Sequence, residues 1–109
     1  HWMWYIFPQI AGLGMSYTAQ LYAIKDIEEA RQYIAHPVLG ARLIEISNAL
    51  LTLDCSDATA VMGYPDDLKL RSCMTLFAQV SDDPVFDAVL AKFYGGTADA
   101  RTLELLSLT

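Results

Sequence analysis

The stretch that decides the fold is residues 37–53, PVLGARLIEISNALLTL. Leucine or isoleucine recurs in it at steps of four and three residues, the spacing that places side chains on one face of an α-helix. The residues of this apolar face are Leu39, Leu43, Ile46, Leu50 and Leu53. Because Ile44 and Leu51 widen the face, the stretch predicts a central helix that packs against its neighbours on more than one side.

Helix-start and helix-stop signals precede this stretch. Ser16 and Asp26 are predicted N-caps, and a glutamate three residues after Asp26 is typical of a capping box. The helix that begins after Asp26 must end near His36, because Pro37 disfavours helical geometry in the residue before it. Pro37 itself lacks an amide hydrogen and suits the first position of a helix, so the next helix is predicted to begin there.

The second half of the chain follows the same pattern. Ser56 or Asp57 is predicted to cap a brief helix, and longer helices are predicted over about 66–80 and 84–94. A last helix begins soon after residue 96. No segment alternates apolar and polar residues, and no Asn-Gly or Asp-Gly hairpin signal occurs. We therefore predict an all-α fold, a compact multihelical single domain of about six short helices that spans residues 1–109.

Charge and hydropathy exclude two classes of partner. Seven basic and thirteen acidic residues give a formal net charge of -6, which repels a phosphate backbone, so we expect no nucleic-acid partner. The longest apolar runs are far shorter than the ~20 residues that a bilayer-spanning helix needs, so we expect no membrane partner. The opening stretch also lacks the basic residues and the cleavage pattern of a secretory signal. We predict a cytoplasmic protein.

The two cysteines give no sign of a metal site. Cys55 and Cys73 lie in unrelated contexts, without the CxxC or CxxH spacing of structural zinc sites. We expect two buried thiols in a reducing compartment. The sequence indicates no metal and no cofactor.

The opening segment HWMWYIFPQ, residues 1–9, is the first candidate for a functional site. His1 and Gln9 form a polar pair within an apolar frame that includes Trp2 and Trp4, and ligand pockets typically combine a few polar groups with apolar walls. The alternative is that the large aromatic side chains belong to the core, where such residues dominate packing.

The second candidate is the stretch YPDDLKLRS, residues 64–72. Asp67 and Arg71 are four residues apart and are predicted to pair on the surface of a helix. Lys69 and Ser72 lie on the row that leads into the apolar half of this helix, where a buried ammonium group would need a partner. The amide groups at the start of the helix would suit an anion, although two aspartates already occupy that end.

Five motifs also identify a family resemblance. In chain order they are HWMWYIFPQIAGLG, SYTAQLYAI, YIAHPVLGARL, DDLKLRSCMTLF and FYGGTADARTLELL. Together they resemble the bacterial domain-of-unknown-function family numbered 1810, and the resemblance spans nearly the whole chain. It implies a compact multihelical cytosolic protein with an additional helix before the HWMW motif, so residues 1–109 are expected to lack that upstream N-terminal helix. Some members carry an automatic calpastatin label, which does not fit, because calpain inhibitors of that name are disordered.

Three functional hypotheses follow. The first is a binding module in which the opening segment and residues 67–72 line a small polar pocket for a metabolite or a peptide, with an anionic ligand suited to the basic side chains. The second is a hydrolase or transferase that uses His1 as general base with Asp67 or Lys69. The third is a structural or protein-interaction domain without a small-molecule site. We predict the first, with the ligand-binding residues His1, Trp2, Trp4, Gln9, Asp67, Lys69, Arg71 and Ser72.

Overall fold

The computed structural model describes residues 3–14 and 16–108, without the side chains of Trp4 and Thr18. Within these residues the chain forms eight helices: α1 (Met3–Ile6), α2 (Tyr17–Tyr22), α3 (Ile27–Ala35), α4 (Leu39–Leu51), α5 (Ala58–Met62), α6 (Asp66–Ala78), α7 (Val85–Tyr94) and α8 (Ala100–Ser107). The predicted all-α class is confirmed. The described helices outnumber the predicted six or so. Of these helices, α1 has only four residues, too few to show a hydrophobic period.

Local side chains begin several helices as predicted. The Ser16 hydroxyl accepts a hydrogen bond from the Ala19 amide at 3.1 Å. The Asp26 carboxylate accepts one from the Glu29 amide at 2.8 Å. The N-cap of α5 is Asp57 and not Ser56, the other predicted candidate. Each cap satisfies amide groups that the helix itself leaves without a partner.

The predicted start of α4 at Pro37 is wrong. This helix begins at Leu39, and α3 ends at Ala35, close to the predicted end. The His36 Nδ1 atom accepts hydrogen bonds from the amides of Val38 and Leu39, both at 3.1 Å, and the His36 carbonyl accepts one from the Gly40 amide at 3.0 Å. His36 therefore caps α4 from three residues before its first residue, and Pro37 lies in the turn between α3 and α4.

The helix at the centre of the fold is α6, although residues 37–53 were predicted to hold that place. Eight of the thirteen residues of α6 are buried, and the helix packs against α1, α3, α5, α7 and α8. In the core, the Phe77 ring lies 5.5 Å from the ring of Tyr33 and 5.8 Å from that of Phe86, measured between centroids. The apolar face of residues 37–53 extends beyond the core, because Leu39 and Leu53 are 41% and 40% exposed.

The two cysteines differ in environment. Cys73 on α6 is fully buried, and burial holds the pKa of its thiol well above the ordinary value. Cys55 lies between α4 and α5 and is exposed, so the expectation of two buried thiols is wrong for this residue. A segment that joins two helices runs over the surface, whereas α6 is enclosed by other helices.

No helix in the described part of the chain is long and apolar enough to cross a membrane.

Candidate functional site

Asp67, a predicted ligand-binding residue, is buried at the junction of α5, α6 and α7. One carboxylate oxygen accepts a hydrogen bond from the Thr59 hydroxyl at 2.6 Å, and the other accepts one from the Leu68 amide at 2.9 Å. The backbone carbonyl of Asp67 accepts a hydrogen bond from the Tyr94 hydroxyl at 2.5 Å. These bonds use both carboxylate oxygens and join three helices.

Arg71 does not form the predicted surface pair with Asp67. Its Nε atom donates to the backbone carbonyl of Thr97 at 2.9 Å, and its guanidinium carbon lies 5.7 Å from the centroid of the Tyr94 ring. The pair does not form because Asp67 turns toward α5, whereas Arg71 reaches the loop after α7. The two residues meet through Tyr94 instead, whose pKa is held well above its ordinary value, first by burial and then by the charge of Asp67.

Replacing Tyr94 with phenylalanine is expected to lower the free energy of unfolding by about 1 kcal/mol, because a largely buried carbonyl loses its donor. It should also remove the part of the loss of stability above pH 10 that comes from ionisation of the Tyr94 phenol. The folded-state pKa of this phenol lies above the value of 10.0 for a free tyrosine, so its contribution is complete below pH 10 and is lost as the pH rises through the folded-state pKa. Urea unfolding between pH 7 and 11 measures both effects. The control is Tyr64→Phe at a site that is 76% exposed, and equal alkaline losses in the two variants would contradict the assignment.

Lys69 and Ser72 also have partners on their own helix. The Lys69 ammonium lies 3.8 Å from a carboxylate oxygen of Asp66, in an ion pair that is about a quarter to a third exposed. The buried Ser72 hydroxyl donates to the backbone carbonyl of Leu68 at 3.1 Å. The Lys69 ammonium group thus has a partner, as the sequence analysis expected of a lysine on this row of the helix.

The opening segment is described only in part. His1 and Trp2 lie outside the described residues, and so does the side chain of Trp4. Gln9 is 2% exposed, and its Nε2 atom has no hydrogen-bond partner in the described part of the chain. A pocket formed by these residues together with Lys69 and Ser72 stays a prediction.

The structure shows a different concave site, a cavity of about 290 Å³ between α1, α3 and α4. We call it the α1/α3/α4 groove. Its lining side chains are Tyr5 and Ile6 from α1, Tyr33 from α3, and Leu39, Arg42, Leu43 and Ile46 from α4. The predicted ligand-binding residues whose side chains the structure describes, Gln9, Asp67, Lys69, Arg71 and Ser72, are not among them.

Arg42 is the charged residue among the described side chains that line the groove, and its side chain has no hydrogen bond or ion pair with any described residue. Most of the other basic residues are engaged. Three of them form ion pairs with a carboxylate three residues away, and these pairs are Arg31 with Glu28, Lys69 with Asp66, and Arg101 with Glu104. Arg71 and Lys92 donate to backbone carbonyls. The exposed Lys25 resembles Arg42 in having no such partner in the described structure, but it lies outside the groove.

Two tyrosines, Tyr5 and Tyr33, belong to the groove lining. Tyr5 donates to the hydroxyl of Tyr22 at 2.8 Å, with ring centroids 4.4 Å apart, which ties α1 to α2 at the rim. The Tyr33 hydroxyl has no hydrogen-bond partner among the described residues. Burial, and then proximity to Cys73, raises the pKa of Tyr33, so this phenol is protonated at neutral pH and can donate a hydrogen bond.

Sequence reasoning missed the groove because its residues carry the signal of a core. Leu39, Leu43 and Ile46 belong to the regular apolar face of residues 37–53. The available hint was Arg42, a basic residue directly beside that face. Helical spacing alone does not reveal whether a neighbouring helix covers such a face.

Among the described residues, no group of three or more histidine, cysteine, aspartate or glutamate side chains could hold a metal ion.

The fold and the groove define a small all-α protein with a candidate binding site between its helices. The chain belongs to the family described as "Protein of unknown function (DUF1810)", whose model matches residues 1–106. Its structure is similar to the crystal structure of the conserved hypothetical protein Rv1873 from Mycobacterium tuberculosis, with 47% sequence identity and a TM-score of 0.96 over 100% of this chain and 79% of that one. No curated protein matches the chain. The family resemblance seen in the five sequence motifs is confirmed.

Proposed function

We propose that this protein is a binding module whose site is the α1/α3/α4 groove. The observation that carries the proposal is the cavity of about 290 Å³, which has aromatic and aliphatic walls from three helices together with the polar groups of Tyr5, Tyr33 and Arg42. Ligand pockets of proteins have this composition, and their volumes begin near ~300 Å³. The ligand is therefore a small molecule with an apolar body.

The proposal keeps the predicted class of function and changes the place of the site. The pocket predicted from the opening segment and residues 67–72 is a separate proposal, and the bonds of Asp67 and Arg71 support a role for these two side chains in joining helices. The hydrolase or transferase hypothesis depends on His1, outside the described residues, and stays a prediction. The net charge of -6 supports a partner other than nucleic acid, and we propose a cytoplasmic location.

A second candidate is a protein partner. Apolar side chains at the rim favour it, because Tyr5 is 59% exposed and Leu39 is 41% exposed. A small ligand within the cavity would leave much of this rim in contact with water, whereas a helix lying across the groove would cover it. The two candidates are distinguished by whether small molecules bind at all.

The test is a fragment screen on ¹⁵N-labelled protein, followed by amide chemical shifts. We expect apolar fragments to shift the amides of α3 and α4 around the groove. Leu39→Trp would narrow the mouth of the groove and should weaken these fragments about tenfold. The matched control is Leu103→Trp on α8, because Leu103 is similarly exposed at 39% and lies outside the groove.

Two results would overturn the proposal. One is a screen in which no fragment shifts the groove amides, or in which Leu39→Trp and Leu103→Trp change fragment affinity equally. The other concerns the upstream N-terminal helix, which we propose as the competing occupant of the groove. The mycobacterial relative is longer than this chain, which covers 79% of it. If a chain extended upstream binds no fragment and places its added residues against Leu39 and Tyr5, the groove is part of the core.

A further inference from the structure

We propose that the ligand of the α1/α3/α4 groove is a carboxylic acid with an aromatic or aliphatic body, and that its carboxylate binds the Arg42 guanidinium. This inference rests on the proposed function and names the class of ligand for the same site. It follows from one juxtaposition, an unpaired guanidinium beside an apolar cavity.

The charge of Arg42 is not balanced by a carboxylate of the described structure. Glu45 lies three residues further along α4, the spacing at which Arg31 and Arg101 each pair with a glutamate, yet no such pair forms within 4.0 Å between Arg42 and Glu45. In a protein with thirteen acidic residues, this guanidinium has no carboxylate partner in the described structure. A planar guanidinium presents parallel donors that match the two oxygens of a carboxylate.

The charge of the groove favours a carboxylate over a phosphate, although a guanidinium binds both. Among the described side chains of the groove lining, Arg42 is the charged one. One positive charge balances a carboxylate, whereas a phosphate monoester carries up to two negative charges near pH 7. The protein's net charge of -6 adds a further penalty for the more highly charged anion.

The groove also offers a second hydrogen-bond donor and apolar walls for the rest of the ligand. The protonated Tyr33 hydroxyl, on the facing helix α3, is a second donor for the carboxylate. The body of the ligand packs against the apolar walls, which include the exposed side chain of Leu39 and the aromatic ring of Tyr5. A carboxylate at one end and a compact apolar body at the other therefore use both kinds of surface that the groove offers.

The test compares 3-phenylpropanoic acid with 3-phenylpropanamide, which have nearly the same shape but differ in charge at neutral pH. Affinities are measured from amide chemical shifts for the native chain, Arg42→Gln and Lys25→Gln. Lys25 is the matched control because it is the other basic side chain without a partner in the described structure, and its replacement changes the net charge equally. Thermal unfolding of each variant verifies that it is folded.

We expect the native chain to bind the acid about tenfold more tightly than the amide, because a charge-assisted bidentate pair is stronger than a neutral hydrogen bond. Arg42→Gln should abolish the preference for the acid over the amide, whereas Lys25→Gln should retain it. Equal binding of acid and amide by the native chain would overturn the carboxylate inference and leave the groove proposal intact. If neither compound binds, the carboxylate inference is wrong. The proposed function is wrong as well only if no fragment of the screen binds the groove.

Discussion

Gly40→Ala is expected to destabilise the protein by about 3 kcal/mol, the cost of severe overpacking in a close contact. Gly40 lies in the first turn of α4, where this helix crosses the end of α3. A Cβ atom at this position would lie 2.0 Å from the carbonyl oxygen of Ile34 and 2.6 Å from its carbonyl carbon. Because both atoms are backbone, the two helices would have to move apart.

The sign of this effect separates tertiary packing from local propensity. Alanine is favoured over glycine inside a helix by roughly 0.5–1 kcal/mol, so propensity alone predicts that Gly40→Ala stabilises the protein. Urea unfolding followed by circular dichroism measures the change. Ala41→Gly at the neighbouring exposed position is the control, with an expected loss of about 1 kcal/mol. A Gly40→Ala variant at least as stable as the native protein would show that α3 and α4 do not approach as described.

Lys92→Met is expected to lower the free energy of unfolding by about 2 kcal/mol, the range found for hydrogen bonds to charged groups. The Lys92 ammonium on α7 donates to the backbone carbonyls of Leu50 at 3.2 Å and Leu51 at 3.0 Å, and also to that of Leu53. Leu50 and Leu51 are the last two residues of α4, and Leu53 follows the helix. The end of a helix leaves carbonyls without their regular intrahelical donors, although the Leu50 carbonyl also accepts a hydrogen bond from the Leu53 amide at 3.3 Å. Methionine keeps most of the apolar stem of the side chain and removes the three donors.

The ammonium also opposes the negative end of the α4 dipole, so the loss combines hydrogen bonding with electrostatics. Guanidinium chloride unfolding suits this measurement because its ionic strength screens surface charge. Lys25→Met removes the same charge from an exposed side chain and should change stability by less than about 0.5 kcal/mol. If both variants lose equal stability, net charge rather than the bonds to α4 is responsible.

Helix ends were predictable where a side chain acts on its own backbone. Ser16, Asp26 and Asp57 accept hydrogen bonds from amides two or three residues away, so the interaction is contained within a short stretch of sequence. The predicted start of α4 was two residues early. The His36 ring caps the helix by accepting hydrogen bonds from the amides of Val38 and Leu39, and Pro37 lies in the turn that leads into Leu39.

Contacts between distant segments were not predictable in this way. Lys92 reaches carbonyls 39 to 42 residues away, and nothing near it in the chain marks it as a cap for α4. Asp67 and Arg71 have the spacing of a surface ion pair, yet α5 and the loop after α7 offer each of them a different partner. Sequence spacing states which groups can meet on one helix, whereas burial and competing partners decide which do.

The sequence by itself determined the all-α class, most helix caps, the net charge and the family, because these depend on hydrophobic period, on bonds within a few residues or on composition. Only the tertiary structure decided that α6 is central and that a cavity remains between α1, α3 and α4. The groove depends on how closely α3 and α4 approach at Gly40 and on which side of α4 its neighbours cover. The apolar face of residues 37–53 is therefore part core and part cavity wall, with Arg42 at its edge.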